Sequence, residues 1–208
     1  MTELELQGEY VMDFFCRRDD GLGFREVKNN SVTSDLFIPG DLLEFLKVNS
    51  RKQWQNLLRK SDYNGDEQKL LRVVMDDIRS RIETSANVAI FLNTNRTITF
   101  EGETLQLIYV SGTELTGDED FKKNIFSAVE EVSYSFNYEG KRVFAFRPDL
   151  SFFVNGIFLG YAELKSNFTN QTARNNGRNL ITTIIASSLI GKVTFQLCIA
   201  EENAIDKE

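Results

Sequence analysis

The segment at residues 147–165 constrains the fold most, because two apolar runs in it flank an Asn-Gly pair. An Asn-Gly pair between two alternating apolar runs is a strong short-range signal for a β-hairpin. Successive side chains of a strand point to opposite faces, so Asp149 and Ser151 lie on the face opposite the apolar residues of the first strand. The same alternation places Glu163 and Lys165 together on one face of the second strand.

The register of this hairpin decides whether the carboxylates of Asp149 and Glu163 meet. A strict two-residue turn at Asn155-Gly156 pairs Asp149 with Ala162 and sends Glu163 to the other face. An odd-residue loop closed by a bulge pairs Asp149 with Tyr161 and puts both carboxylates on one face. We therefore predict the bulged turn, or an equivalent bulge nearby.

Helical periodicity dominates the first part of the chain, and period-two alternation dominates the rest. The helical pattern predicts helices over residues 4–17, 41–49, 54–60 and 66–83. The alternating pattern predicts strands over residues 88–92, 97–100, 104–110, 124–136, 142–154, 157–165 and 192–200, with a helix beginning in 166–178. These elements predict an α/β (α+β) fold with a mixed central sheet flanked by helices and a helical N-terminal region. We expect one domain over residues 1–208, mainly helical at 1–85 and sheet-rich at 86–200.

The composition narrows the chemistry, because the chain contains no histidine and only two cysteines. Neither a Ser-His-Asp nucleophile nor a His- or Cys-rich zinc site can be built from it. Catalysis would fall to carboxylates and lysine, and such hard oxygen ligands favour Mg²⁺, with Mn²⁺ as the alternative. No apolar run is long enough to span a membrane, and both cysteines lie in apolar surroundings, so we expect a cytoplasmic protein with reduced thiols.

If Asp149 and Glu163 converge, the two carboxylates can hold a metal ion that activates water for attack on a phosphodiester. Lys165 can then offset the charge that develops on the phosphate. The alternative interpretation is a surface aspartate and a Glu-Lys pair that decorate the hairpin. Spacing alone leaves both interpretations open.

The stretch RPDLSFFVNGIFLGYAELKSNFTNQTA resembles the PD-(D/E)XK nuclease core of type I restriction enzyme R subunits. The upstream stretches LFIPGDLLEFLKVNSRKQW and EEVSYSF resemble the same N-terminal region, so the resemblance covers most of residues 9–178. It implies a restriction-endonuclease-like fold in which Asp149 and Glu163 are metal ligands and catalytic residues and Lys165 is the catalytic lysine. It also implies magnesium-dependent cleavage of double-stranded DNA within a complex that contains specificity and methylation subunits.

Further site residues are expected around this core. Glu131 is a candidate accessory metal ligand, and Glu9 is a weaker candidate of the same kind. The family often places a Gln-x-x-x-Tyr motif after the lysine, but this chain has TARNNGRNLITTI there. Candidate DNA-binding residues are basic or polar and mostly follow the lysine: Arg147, Arg174, Arg178 and Asn179. A plain solvated helix face is the alternative for the last three.

By this resemblance, we expect some parts of a complete restriction subunit to be missing from this polypeptide. No Walker A loop occurs, so we expect ATP to act only through a motor domain that is absent from this polypeptide. The formal charge of −7 argues mildly against a free-standing nucleic-acid binder, although basic residues cluster in the last third. The alternative function is therefore a catalytically inactive remnant that interacts with DNA or partner subunits.

Overall fold

The computed structural model describes residues 12–17, 22–85, 87–110, 118–138, 141–162 and 196–197. Within these ranges the chain forms mainly helices first and a mixed sheet later, as the sequence predicted, but the N-terminal part also contributes an unpredicted edge strand at Arg25–Glu26. The predicted fold class, a mixed central sheet flanked by helices with a helical N-terminal region, is confirmed. No helix of the described part is long and apolar enough to cross a membrane.

The helices of the first part follow the predicted periodicity closely. They are α1 (Asp13–Cys16), a 3-10 turn (Asn29–Ser31), α2 (Pro39–Asn49), α3 (Arg51–Leu58) and α4 (Glu67–Thr84). Pro39 opens α2, where a missing backbone N–H costs nothing. The Asp66 side chain caps α4 by accepting from the Lys69 N–H at 2.9 Å. Residues 4–11 of the predicted first helix lie outside the described residues.

The strands form one five-stranded sheet and two two-stranded sheets. They are β1 (Arg25–Glu26), β2 (Thr97–Phe100), β3 (Glu103–Gln106), β4 (Phe126–Glu130), β5 (Tyr134–Tyr138), β6 (Lys141–Phe146), β7 (Leu150–Val154), β8 (Ile157–Ala162) and β9 (Gln196–Leu197). The five-stranded sheet has the order β1-β4-β7-β8-β9, with β1 parallel to β4, β9 parallel to β8, and antiparallel pairs between them. Strand β7 is therefore central, and all five of its residues are buried.

Three predicted strands are corrected by the structure. Residues Val88–Thr94 form a helix, α5, because the Asn87 side chain caps it by accepting from the Ile90 N–H at 2.8 Å. The strand predicted over 124–136 is two strands, β4 and β5, separated at Glu131, whose φ is +51°. The strand predicted over 142–154 is likewise two strands, β6 and β7, separated around Pro148. A short helix, α6 (Asp118–Phe121), precedes β4.

Apolar clusters cover both faces of the central sheet. Leu150 and Phe152 pack on one face with α1, which contributes Phe15. Phe153 packs on the other face with Tyr134 and Tyr161. The turn end of the β7–β8 hairpin joins the core of the helical region, to which Val154 and Ile157 contribute. The hairpin is thus anchored at its turn and on both faces, which fixes the position of its open end.

Candidate active site

The turn between β7 and β8 is a buried structural anchor rather than an exposed loop. Asn155 is fully buried, and its side-chain amide donates to the Leu107 carbonyl at 2.7 Å and to the Asn124 side chain at 2.9 Å. Its side-chain oxygen accepts from the Ile125 N–H at 2.7 Å. Asn155 and Gly156 both have positive φ, as a type I′ hairpin turn requires.

Gly156 also approaches α2 too closely for any side chain. A Cβ atom at this position would lie 2.4 Å from the Ile38 carbonyl oxygen and 2.6 Å from the Leu42 nitrogen. The Gly156 carbonyl accepts from the Ile38 N–H at 2.8 Å, which joins the turn to the start of α2. The Asn-Gly pair therefore sets both the turn geometry and the docking of the hairpin on the helices.

The predicted bulge is present, but within β8 rather than in the turn. Val154 pairs with Ile157 across a two-residue turn, whereas Phe152 pairs with Gly160, so Leu159 is the extra residue. The prediction of an equivalent bulge nearby is confirmed. Tyr161 lies opposite Ser151, not opposite Asp149 as the odd-residue loop would have placed it. The last described pair of the hairpin is Leu150 with Ala162.

Asp149 lies at the open end of the central strand, next to Glu131. The Glu131 N–H donates to the Asp149 carbonyl at 3.1 Å, which continues the β4–β7 register by one step beyond the Glu130–Leu150 pair. Asp149 is half-buried, and the preceding Pro148 is buried. The structure thus brings together the backbones of Asp149 and Glu131, the candidate accessory ligand.

Arg147 extends from the same end of the sheet. Its Nη1 lies 3.5 Å from the Glu131 Oε2, and both side chains are largely exposed. An exposed ion pair of this kind contributes little to stability, because solvent screens it and ordering two side chains costs entropy. Arg147 is therefore held near the candidate site by a contact that is easily exchanged.

Two further carboxylates, which the sequence did not single out, lie near this end: Glu26 and Glu130. Burial, followed by the neighbouring charges of Glu26 and Glu131, raises the pKa of Glu130 above its usual value. Burial also raises the pKa of the Cys16 thiol to about 11, with contributions from Glu26 and Glu130. Cys16 is a free cysteine among the described residues, and this pKa keeps its thiol protonated at neutral pH. The region around Glu130 is electrostatically negative.

A buried hydrogen bond lies two residues beyond Asp149 along the chain, on the same face of the sheet as Asp149. The hydroxyls of Tyr134 and Ser151 are 2.6 Å apart, and both residues are buried. Burial raises the pKa of Tyr134 well above its usual value, so this phenol stays neutral. Sequence reasoning placed Ser151 on the Asp149 face but missed Tyr134, for which only its place in an apolar strand could have been a signal.

Several predicted site residues cannot be compared with the structure. Those outside the described residues are Glu9, Glu163, Lys165, Arg174, Arg178 and Asn179. Within the described ranges, no group of three or more Asp, Glu, Cys or His side chains is arranged to hold a metal ion. The metal site therefore stays a prediction that requires Glu163.

Comparison with known proteins supports the resemblance seen in the sequence. The family model for the type I restriction enzyme R protein N terminus matches residues 24–200. No curated protein and no solved structure was found to match the chain. The matched range includes the whole five-stranded sheet, whose mixed arrangement flanked by helices is restriction-endonuclease-like.

Proposed function

We propose a DNA-cleaving function for this chain, which belongs to the family of type I restriction enzyme R protein N termini. The chain would hydrolyse DNA phosphodiester bonds in a metal-dependent reaction, as the nuclease domain of a type I restriction complex. The observation that carries this proposal is the register of the three central strands at the open end of β7. That register favours the convergence of the carboxylates on which the chemistry depends.

The register argument uses both neighbours of β7. On one side, Glu131 donates its N–H to the Asp149 carbonyl. On the other side, one further step beyond the Leu150–Ala162 pair would set position 163 opposite Asp149. The Leu159 bulge is what makes this step possible, because without it Asp149 would pair with Ala162. By alternation, Lys165 would share the face of Glu163.

The residues expected at this end fit a divalent cation with oxygen ligands. Asp149 and Glu163 would hold the ion, and Glu131 could add a third carboxylate. When bound, Mg²⁺ or Mn²⁺ would supply an activated water and neutralise charge on the scissile phosphate.

The chain's own residues would then orient the substrate. Lys165 would donate hydrogen bonds to the phosphate oxygens on which charge develops. Arg147 could exchange its exposed contact with Glu131 for a DNA phosphate at little cost in stability. The Tyr134–Ser151 hydrogen bond would keep the underlying strand from shifting when DNA binds.

Family membership also supports a set of partners. The chain would act on double-stranded DNA together with specificity and methylation subunits, in the cytoplasm. ATP would act only through a motor domain, and Arg174, Arg178 and Asn179 would contribute further DNA contacts. Such contacts would go mainly to backbone phosphates, because sequence recognition belongs to another subunit.

Nicking of supercoiled plasmid tests the proposal. The natural chain is incubated with Mn²⁺ or Mg²⁺ beside Asp149→Asn, Lys165→Ala and the matched control Asp62→Asn, which removes an exposed charge from the helical region. We expect metal-dependent nicking by the natural chain and the control, and its loss in the two site variants. Nicking that survives in Asp149→Asn, or none by the natural chain even with its partner subunits, would overturn the proposal. The second outcome would favour an inactive interaction module.

A further inference from the structure

One stretch of the helical region differs in charge from the rest of this acidic chain. Residues 47–60, which include all of α3, contain five basic residues and no acidic residue among fourteen, although the whole chain has a formal charge of −7. The basic residues are Lys47, Arg51, Lys52, Arg59 and Lys60. A local positive charge of this density produces a distinct potential even on a protein that is negative overall.

Two of these five cations are neutralised within the structure. Lys47 lies 3.1 Å from a carboxylate oxygen of Glu67. Lys60 donates to the Glu101 carbonyl at 2.6 Å and to its side chain at 3.2 Å. Across the described part of the chain, no ion pair involves the other three, which we call the α3 basic face: Arg51, Lys52 and Arg59.

The α3 basic face is presented by a firmly packed helix. Trp54 and Leu57, on the opposite side of α3, are fully buried, and the Trp54 Nε1–H donates to Glu67 at 3.2 Å. Arg51 and Arg59 are eight residues apart, and Arg59 keeps helical dihedral angles. At a rise of about 1.5 Å per residue they are about 12 Å apart along the axis, with both side chains exposed.

A concave surface adjoins this face. A cleft of about 430 Å³ between the end of α2 and α3 is lined by Lys47, Val48, Arg51, Trp54 and Gln55. Arg51 thus belongs both to the cleft and to the basic face. Val48 is the exposed apolar residue of this surface, and its other exposed groups are cationic or amide side chains.

We propose that the α3 basic face binds the phosphate backbone of double-stranded DNA, outside the candidate active site. Guanidinium groups pair with phosphate in a bidentate geometry, and ammonium groups bind it as point charges. The separation of about 12 Å between the two arginines is close to the width of the major groove, so each could reach phosphates on one side of it. An acidic protein surface is a less suitable partner, because the centres of protein interfaces are enriched in aromatic residues, whereas Trp54 is buried and Val48 is the exposed apolar residue of this surface.

This inference rests on the proposed DNA-cleaving function and extends it. The site end of the sheet carries Glu26, Glu130 and Glu131 and would repel a polyanion before any metal binds. A separate positive surface would supply affinity beyond the phosphate contacts proposed for Lys165 and Arg147. DNA held on the α3 basic face would therefore stay bound in the absence of metal.

Fluorescence anisotropy of a labelled DNA duplex, measured in EDTA at several salt concentrations, tests the inference. The patch variant is Arg51→Gln, Lys52→Gln and Arg59→Gln together. The matched control removes three arginines from α4 and the loop before β2: Arg72→Gln, Arg79→Gln and Arg96→Gln. Both variants change the net charge equally, so a difference between them reports position rather than total charge.

We expect the patch variant to bind at least tenfold more weakly than the control at about 50 mM salt. Its plot of log K against log salt should be less steep by about two to three units, since each lost phosphate contact removes about 0.9. Equal binding by the two variants, or no binding by the natural chain, would overturn the inference. So would a patch variant that loses only its association with partner subunits.

The outcome is separable from that of the nuclease proposal. Asp149→Asn should bind the duplex at least as tightly as the natural chain in EDTA, because cleavage and metal play no part in this measurement. Patch-dependent binding without any metal-dependent nicking would remove the nuclease proposal and leave the DNA-binding surface in place. Metal-dependent nicking with identical binding by patch and control variants would remove the DNA-binding surface and leave the nuclease proposal in place.

Discussion

Replacing Asn155 with alanine should destabilise the whole sheet, because this one side chain joins the hairpin turn to two other segments of the chain. Its amide donates to the Leu107 carbonyl and the Asn124 side chain, and its oxygen accepts from the Ile125 N–H. Asn155→Ala removes all three hydrogen bonds from a site that is fully buried. The backbone there has φ of +50°, which asparagine tolerates better than alanine does.

The magnitude follows from these contacts. Each hydrogen bond contributes about 1 kcal/mol net, and a buried group left without a partner adds to the loss. Together with the less favourable backbone conformation, the expected cost is at least about 3 kcal/mol of unfolding free energy. With a urea dependence of about 2 kcal/mol per molar, the denaturation midpoint should fall by at least about 1.5 M.

Urea unfolding followed by the fluorescence of the buried Trp54 measures this shift. The control is Asn93→Ala, which changes an exposed asparagine on α5 and should move the unfolding free energy by less than about 0.5 kcal/mol. If Asn155→Ala shifted the midpoint no more than Asn93→Ala does, the structural role assigned to the turn would be wrong.

Three other predictions concern the same sheet. Gly156→Ala should cost about 3 kcal/mol in urea unfolding, because the new Cβ would meet the Ile38 carbonyl at 2.4 Å and φ is +76°; a neutral effect would contradict the close approach. Phe153→Ala, at a fully buried position, should cost about 4 kcal/mol, and a loss below about 1 kcal/mol would contradict the packing of β7. The pKa of Glu130 is raised on folding, so the folded state holds this proton more tightly and loses stability as pH rises through that pKa. Glu130→Gln should therefore raise the urea midpoint at about pH 7 and change it little at about pH 4; equal shifts at both values would refute the raised pKa of Glu130.

Much of the fold could be predicted because local signals agreed with the tertiary structure. Helix α4 combines an Asp66 cap with a long amphipathic pattern, and the structure places it within one residue of the predicted bounds. The Asn-Gly turn has backbone requirements that few other residue pairs meet, so the hairpin was also predictable. Where periodicity, caps and turn residues pointed the same way, the sequence was sufficient.

The errors arose where one local signal was ambiguous. The run VAIFL is short, apolar and rich in β-branched residues, and periodicity alone does not distinguish a buried strand from a helix of that length. The cap at Asn87 was the signal that could have decided for α5. The strand break at Glu131 depends on a positive φ that the local sequence, residues 130–132, does not predict. The break before β7 could have been predicted from Pro148.

The candidate site was predictable in its residue types but only partly in its geometry. Arguments from side-chain alternation required one extra residue in the hairpin for Asp149 and Glu163 to share a face, and the structure has one at Leu159. They could not show which strand would contain it, because a bulge depends on packing against both faces of the sheet. Nor could they show that the β4–β7 register brings Glu131 beside Asp149, since that depends on long-range strand pairing.

Calorimetric titration with Mn²⁺ tests the central claim most directly, because it reads the metal site without needing DNA, partner subunits or turnover. The natural chain should bind Mn²⁺, Asp62→Asn should bind it equally well, and Asp149→Asn and Glu163→Gln should each abolish binding while keeping the urea midpoint of the natural chain. Unchanged Mn²⁺ binding in Asp149→Asn, or no binding by the natural chain, would contradict a metal-dependent nuclease site at the open end of β7.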